Sequence, residues 1–206
     1  PPAFVDETAD IKKAAQDIVL GASLDNNILC IAEKSVVAMR QIEPQLVQEM
    51  VKAGCILVEN QQDIQRLVDL TVLPNGTPNK KFVGKNASVI LDAAHIPYNG
   101  DPRLIIMRAP KNHPFAVIEM LMPILPVVTV DSFDEGLDVC LMLEAGLHHT
   151  ATMHSLNMER LNRMARKMKT SIFVKNGPSY AGLGFSGEGT TTFTIATPTG
   201  ESTTSA

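Results

Sequence analysis

The side chains of this sequence with the widest chemical reach are its thiols and imidazoles, and there are few of them. They are Cys30, Cys55 and Cys140, with His95, His113, His148, His149 and His154. A thiolate attacks carbonyl carbon readily, so a cysteine whose ionised form is stabilised can carry covalent acyl chemistry. Cys30 follows the polar run Asp25-Asn26-Asn27, a loop signature. Loop N–H groups converging near the thiol, or a helix N-terminus beside it, would stabilise both a thiolate and the oxyanion formed when it attacks. The competing reading is that a free cysteine is a small buried hydrophobe, the commoner fate of the residue. Cys140 falls on the apolar face of a helical pattern and Cys55 opens an apolar strand, so both read as structural. The adjacent His148 and His149 point to opposite faces if the chain is extended there, so at most one can face any one site. No HExxH spacing or CxxC pair suggests a metal. There is no GxSxG elbow and no GxxxxGK[ST] loop. Gly182-Leu-Gly-Phe-Ser-Gly187 has the letters of a glycine motif, but no helix pattern follows it, which makes it weak as a nucleotide loop.

The elements that must position these residues are read from periodicity and turn signals. Residues 3–5 form a short apolar strand, followed by Asp6 and Thr8 as helix N-caps and by Ile11, Ala14, Ala15, Ile18 and Val19 at helical spacing. Residues 21–27 read as loop. Residues 28–32 lead into the β-rich run 35–39, which puts Cys30 at a loop-to-element junction. Pro44 starts a second helix that ends at Gly54, the strand 55–58 follows, and a third helix carries Ile64, Leu67, Val68 and Leu70. Residues 73–85 are a long surface loop, and 87–94 a further helix. Residues 104–107 and 127–130 are strands of buried-sheet type. Asp131 or Ser132 caps a helix through Leu147, and then come strand 150–154, helix 158–168 and strand 171–175. Strands separated by helices of this length indicate βαβ crossovers. The fold class is therefore α/β, a doubly wound, mostly parallel sheet with helices on both faces. The Gly-rich tail leads to a hairpin or extended arm over residues 190–196.

Composition removes several classes of function. With 45% hydrophobic residues the chain can build a substantial core, which excludes disorder as its dominant state. A net charge of −4 gives no electrostatic reason to expect nucleic acid. The densest basic run, from Arg160 to Lys169, alternates with Met and Leu and reads as the solvated face of a helix. No stretch of about 18 uninterrupted apolar residues offers a membrane span. Three widely spaced cysteines fit a reducing cytoplasm better than a disulfide framework. The abrupt opening on Pro1-Pro2 and the polar close over residues 197–206 read as a piece of a longer protein.

The runs Val5-Asp6-Glu7-Thr8-Ala9-Asp10 and Asp25-Asn26-Asn27-Ile28-Leu29-Cys30-Ile31-Ala32-Glu33-Lys34 resemble the nucleophile region of the aldehyde dehydrogenase superfamily. The second run is similar to its CoA-acylating branch. Glu119-Met-Leu-Met-Pro123, Lys167-Met-Lys-Thr170, Asn176-Gly-Pro-Ser-Tyr180 and the threonine-rich run 190–200 add to the resemblance in the same order. The resemblance implies that Cys30 is the catalytic nucleophile and that Glu119 hydrogen-bonds a ribose of NAD. Met122 stands where the wider superfamily has Gly, as in acylating members. It also implies that His149 is a proton carrier. The implied activity is oxidation of acetaldehyde or propionaldehyde to acyl-CoA through a cysteine thioester, with NAD as cofactor and coenzyme A as co-substrate. Residues 1–189 would be the cysteine-bearing catalytic domain and 190–206 an oligomerisation arm. The oxyanion asparagine and the NAD-binding domain would lie upstream. Homo-oligomers, a cytoplasmic location and residence within a bacterial microcompartment shell are typical of such relatives. Two other readings stay open: a non-catalytic oligomerisation or assembly domain, with Cys30 inert, and a related acyl-phosphate reductase.

Overall fold

A computed structural model describes residues 1–192. Seven strands form one sheet: β1 (Pro2–Val5), β2 (Ser35–Met39), β3 (Cys55–Leu57), β4 (Leu104–Arg108), β5 (Ile124–Val130), β6 (Thr150–His154) and β7 (Ile172–Lys175). Their order is β3-β4-β5-β2-β1-β6-β7, and every pairing is parallel. Parallel neighbours need a crossover, and helices supply it: α1 (Ile11–Ser23), α2 (Glu43–Lys52), α3 (Gln61–Thr71), α4 (Ala87–Ala93), α5 (Pro114–Val117), α6 (Phe133–Glu144) and α7 (Met158–Met168). From the β1–β2 centre the chain crosses to the β3 edge, returns inward through β4 and β5, and then passes to β6 and β7 beyond β1, with helices on both faces of the sheet. That is the doubly wound α/β architecture expected from the alternation of elements.

Strand burial explains why these sequences lack polar alternation. All residues of β1 and β2 are buried, as in any strand covered on both faces. In β4, Leu104 and Ile106 join the main core while Ile105 and Met107 join a second one with Leu67, Ile90 and Leu91 of α3 and α4. Phe4 of β1 stacks on Phe133 of α6 at 5.6 Å and lies against Gly136, where an added methyl would come within 2.3 Å of the ring.

Several boundaries differ from the sequence reading. The cap of α1 is Asp10, whose side chain accepts from the Lys13 N–H; Asp6 is instead fully buried and accepts from Thr8, Ser155 and Arg160. Helix α1 runs through Gly21, a position read as loop, because that glycine's open face receives the Glu33 carboxylate. β5 starts at Ile124, before Pro126. Its ladder with β2 begins only at Val127, so the missing proline N–H costs that pairing nothing. Helix α6 stops at Glu144, where Ala145 turns left-handed (φ 58°). The four-residue α5 and a short 3-10 turn at Ser179–Leu183 carry too little periodicity to be read in advance. Of the arm at 190–206, residues 193–206 lie outside the described residues.

Candidate active site

The segment from α1 to β2 carries Cys30 on an unusual turn. Asp25, Asn26 and Asn27 are all left-handed, with φ of 49°, 53° and 67°. Each such residue costs on the order of 1–2 kcal/mol for most side chains, and Asn and Asp are the non-glycine residues that bear it best. Side chains hold the turn in place. Asn26 Nδ2 donates to the Gly84 carbonyl (3.1 Å) and to Asn86 Oδ1 (2.8 Å). Asn27, buried, donates to the carbonyls of Ala22 (2.7 Å) and Glu33 (2.9 Å). Beyond the turn Leu29 and Ile31 pack into a small core with Ile172, Val174 and Ala181, and Cys30 between them is exposed. Cys55 and Cys140 are buried, and burial pushes the Cys55 thiol up to about 12 and that of Cys140 further. Cys30 is therefore the thiol that a substrate can reach.

Three residues after Cys30, Glu33 is fully buried. Its two carboxylate oxygens accept from the Ser179 N–H and hydroxyl, both at 2.8 Å, and lie over the α-carbon of Gly21. Burial raises its pKa to about 7, against the lowering effect of the Ser179 bonds. Lys34 points the other way. Its ammonium donates to the Asn27 carbonyl (2.6 Å), to Asn27 Oδ1 (2.8 Å) and to the Leu29 carbonyl (3.2 Å).

Glu119 and His149 reach the same place from other strands. Cys30 precedes β2, Glu119 precedes β5 and His149 directly precedes β6. Because the sheet is parallel and its central order is β5-β2-β1-β6, all three lie at its amino edge within four consecutive strands. Lys34 feels the charges of Glu119 and Cys30, and His149 those of Glu119 and Lys34. Glu119 is exposed between buried Ala116 and Met120, and its loop is fixed by the Gly84 N–H donating to the Leu121 carbonyl (3.0 Å). His149 is half-buried, and desolvation lowers its pKa; its Nδ1 lies 2.9 Å from Thr150 Oγ1. The His148–His149 pair is not extended: His148 is left-handed (φ 52°), and its ring sits 3.4 Å from the Met168 carbonyl. Only His149 turns to the shared edge. Sequence reasoning singled out Cys30, Glu119 and His149 and missed Lys34, Glu33 and Ser179. All three belong to quoted motifs, but which way a side chain faces is decided by the assembled sheet. Among the described residues no three of His, Cys, Asp or Glu gather as a metal site requires.

The model of the aldehyde dehydrogenase family matches residues 1–196. The chain belongs to that family. It is 54% identical over 207 aligned residues to a CoA-propanoylating propanal dehydrogenase of Citrobacter freundii, an alignment covering all of this chain and 44% of the relative. A solved propionaldehyde dehydrogenase of Rhodopseudomonas palustris, with bound CoA and an acylated cysteine, superposes with a TM-score of 0.93 at 46% identity, over 98% of this chain and 46% of that one. A propionaldehyde dehydrogenase from the fucose-utilisation microcompartment of Clostridium phytofermentans superposes at 0.92 and 44% identity, over 98% of this chain and 46% of that one. The chain thus spans under half the length of the curated relative it matches.

Proposed function

We propose that this chain carries the nucleophile of a CoA-acylating aldehyde dehydrogenase, which oxidises a short aliphatic aldehyde, propionaldehyde or acetaldehyde, to its acyl-CoA. The observation that carries the reading is the single exposed thiol on a braced left-handed turn, within electrostatic range of Lys34, whose charge in turn interacts with Glu119 and His149. The Cys30 thiolate adds to the aldehyde carbon and forms a thiohemiacetal. The Cys30 N–H, which donates to no group among the described residues, is free to bind the resulting oxyanion. Glu119 is exposed and its carboxylate makes no hydrogen bond among the described residues, which suits it to accept from ribose hydroxyls of NAD. When bound, NAD supplies the hydride acceptor. The Cys30 thioester is close in energy to acyl-CoA, so exchange with CoA runs both ways and needs no water-activating carboxylate. His149, kept neutral by desolvation, takes the proton of the CoA thiol as its sulfur attacks the acyl carbon and Cys30 leaves as thiolate.

On this reading residues 1–189 are the catalytic domain and 190–206 its oligomerisation arm, in a cytoplasmic homo-oligomer housed in a microcompartment. The microcompartment origin of the Clostridium neighbour supports the last point. The test is acyl exchange without nicotinamide cofactor: the protein is incubated with propionyl-CoA and its acylated cysteines are mapped by mass spectrometry. Propionyl on Cys30 alone, lost in Cys30→Ala, is the expected result. No acylation of Cys30, with all three thiols equally slow toward iodoacetamide, would return the protein to the inert assembly-domain reading.

A further inference from the structure

The cation beside the nucleophile is spent in an uncommon way. An ammonium has three N–H donors, and all three of Lys34's meet acceptors in the five-residue stretch from Asn27 to Ile31 that presents Cys30. Two of these acceptors belong to Asn27, the last left-handed residue of the turn, and the third is the carbonyl just before Cys30. Among the described residues Lys34 forms no ion pair with a carboxylate, although Glu119 and Glu33 lie within electrostatic range. Burial pushes its pKa down to about 8. A partly desolvated charge without a paired counter-ion is a net cost, and so are three consecutive left-handed residues. The two costs meet at one point, where each makes the other tolerable.

We propose that Lys34 is the positioning residue of the nucleophile turn: its ammonium closes the left-handed Asp25-Asn26-Asn27 run onto the Leu29 carbonyl and thereby aims Cys30 at the edge shared with Glu119 and His149. Lys34 acts through Cys30 and not on the substrate. The proposal rests on Cys30 being the nucleophile. Its signature is loss of rate without loss of binding, because a turn that no longer points the thiol still leaves the surroundings of the thioester intact.

Single-turnover acylation of Cys30 by propionyl-CoA is followed by rapid quench and mass spectrometry in the unaltered protein, in Lys34→Ala and in Lys34→Met. The rate constant at saturation is expected to fall about 100-fold in Lys34→Ala, with the half-saturating concentration moving less than about threefold. Ethylammonium, a primary ammonium that fits the vacated cradle, restores rate to Lys34→Ala, whereas guanidinium, planar and wider, does not. Hydrogen exchange across residues 24–34 quickens in the variant and slows again with ethylammonium. A Lys34→Ala protein that acylates at the unaltered rate overturns the proposal, as does a loss that ethylammonium fails to restore while Tm is unchanged. Lys34→Met, which keeps the apolar stem and removes every donor, decides the matter if the alanine variant does not fold: full rate in it overturns the proposal. If the unaltered protein is not acylated at Cys30 and its three thiols react equally slowly with iodoacetamide, the nucleophile reading fails, and the hydrogen-exchange comparison alone then decides whether Lys34 holds the turn. If Cys30 alone stays reactive, its iodoacetamide rate replaces acylation as the readout.

Discussion

At the scale of single residues, Glu33 shows how much a buried charge can reveal. The carboxylate has no exposure to water, and its hydrogen bonds from its own backbone and from Ser179 do not offset burial, which holds its pKa near 7 against an ordinary 4.5. Between those two values the folded protein keeps a proton that the unfolded chain has released, so stability falls as pH rises through the window from about 4.5 to 7. The whole effect is about 3 kcal/mol, present in full below the window and absent above it. Glu33→Gln can still accept from the Ser179 N–H and donate to its hydroxyl, but it cannot ionise. The variant is expected to gain stability relative to the parent as pH rises from 5 to 8, by a few kcal/mol. Denaturant melts at the two pH values check this, and a parent-to-variant difference that does not move with pH would show that folding leaves the Glu33 pKa unshifted. Neither this residue nor Lys34 was legible as part of the site. Glu-Lys next to an apolar run reads as surface charge, and only the packing of α1 against the Ser179 turn, with Glu33 between them, makes one of them interior.

Among the elements, what was legible follows from period and capping. Strand β6 and helix α7 have the bounds read from the sequence, because the 150–154 run is uniformly strand-like and Asn157 caps an uninterrupted amphipathic stretch. Glycine misled at α1, where Gly21 looks like a breaker but serves as the surface that Glu33 lies on. Gly136 works in the same way between α6 and β1, since its missing side chain is filled by the Phe4 ring. Helix propensity alone would favour Gly136→Ala by about 1 kcal/mol. The added methyl cannot be placed without moving a fully buried aromatic, which costs about 1–3 kcal/mol. The net expectation is a destabilised protein, with Tm lowered by a few degrees and acylation of Cys30 unchanged, because the contact lies in the core away from the nucleophile turn. Thermal melts and the propionyl-CoA exchange assay measure the two effects side by side. A more stable variant would mean that Phe4 has room the structure does not show.

For the molecule as a whole, the sheet has two ends, and the proposed chemistry lies at one of them. The convergence of Cys30, Glu119 and His149 could not be read from their spacing, since it depends on the strand order β5-β2-β1-β6, which brings distant segments side by side. The carboxyl end of the same strands carries a different polar cluster. There Asp6, fully buried, accepts from the Thr8 N–H and hydroxyl, the Ser155 hydroxyl and Arg160. Every one of those donors is supplied by the protein, as expected of a knot that ties β1 to the start of α7. Asp6→Asn replaces two acceptor oxygens by one and places an amide among donors, a mismatch worth about 1–3 kcal/mol. Its expected effect is a lower Tm with the single-turnover acylation rate unchanged. Glu119→Gln should do the reverse. An exposed side chain without a protein partner contributes little to stability, so Tm should hold. A neutral amide accepts more weakly from ribose hydroxyls, so the NAD concentration that half-saturates aldehyde oxidation by the full-length protein should rise about tenfold. Measured together, the pair separates the two ends of the sheet: a loss of acylation in Asp6→Asn at constant Tm would move chemistry to the carboxyl end and undo the amino-edge assignment.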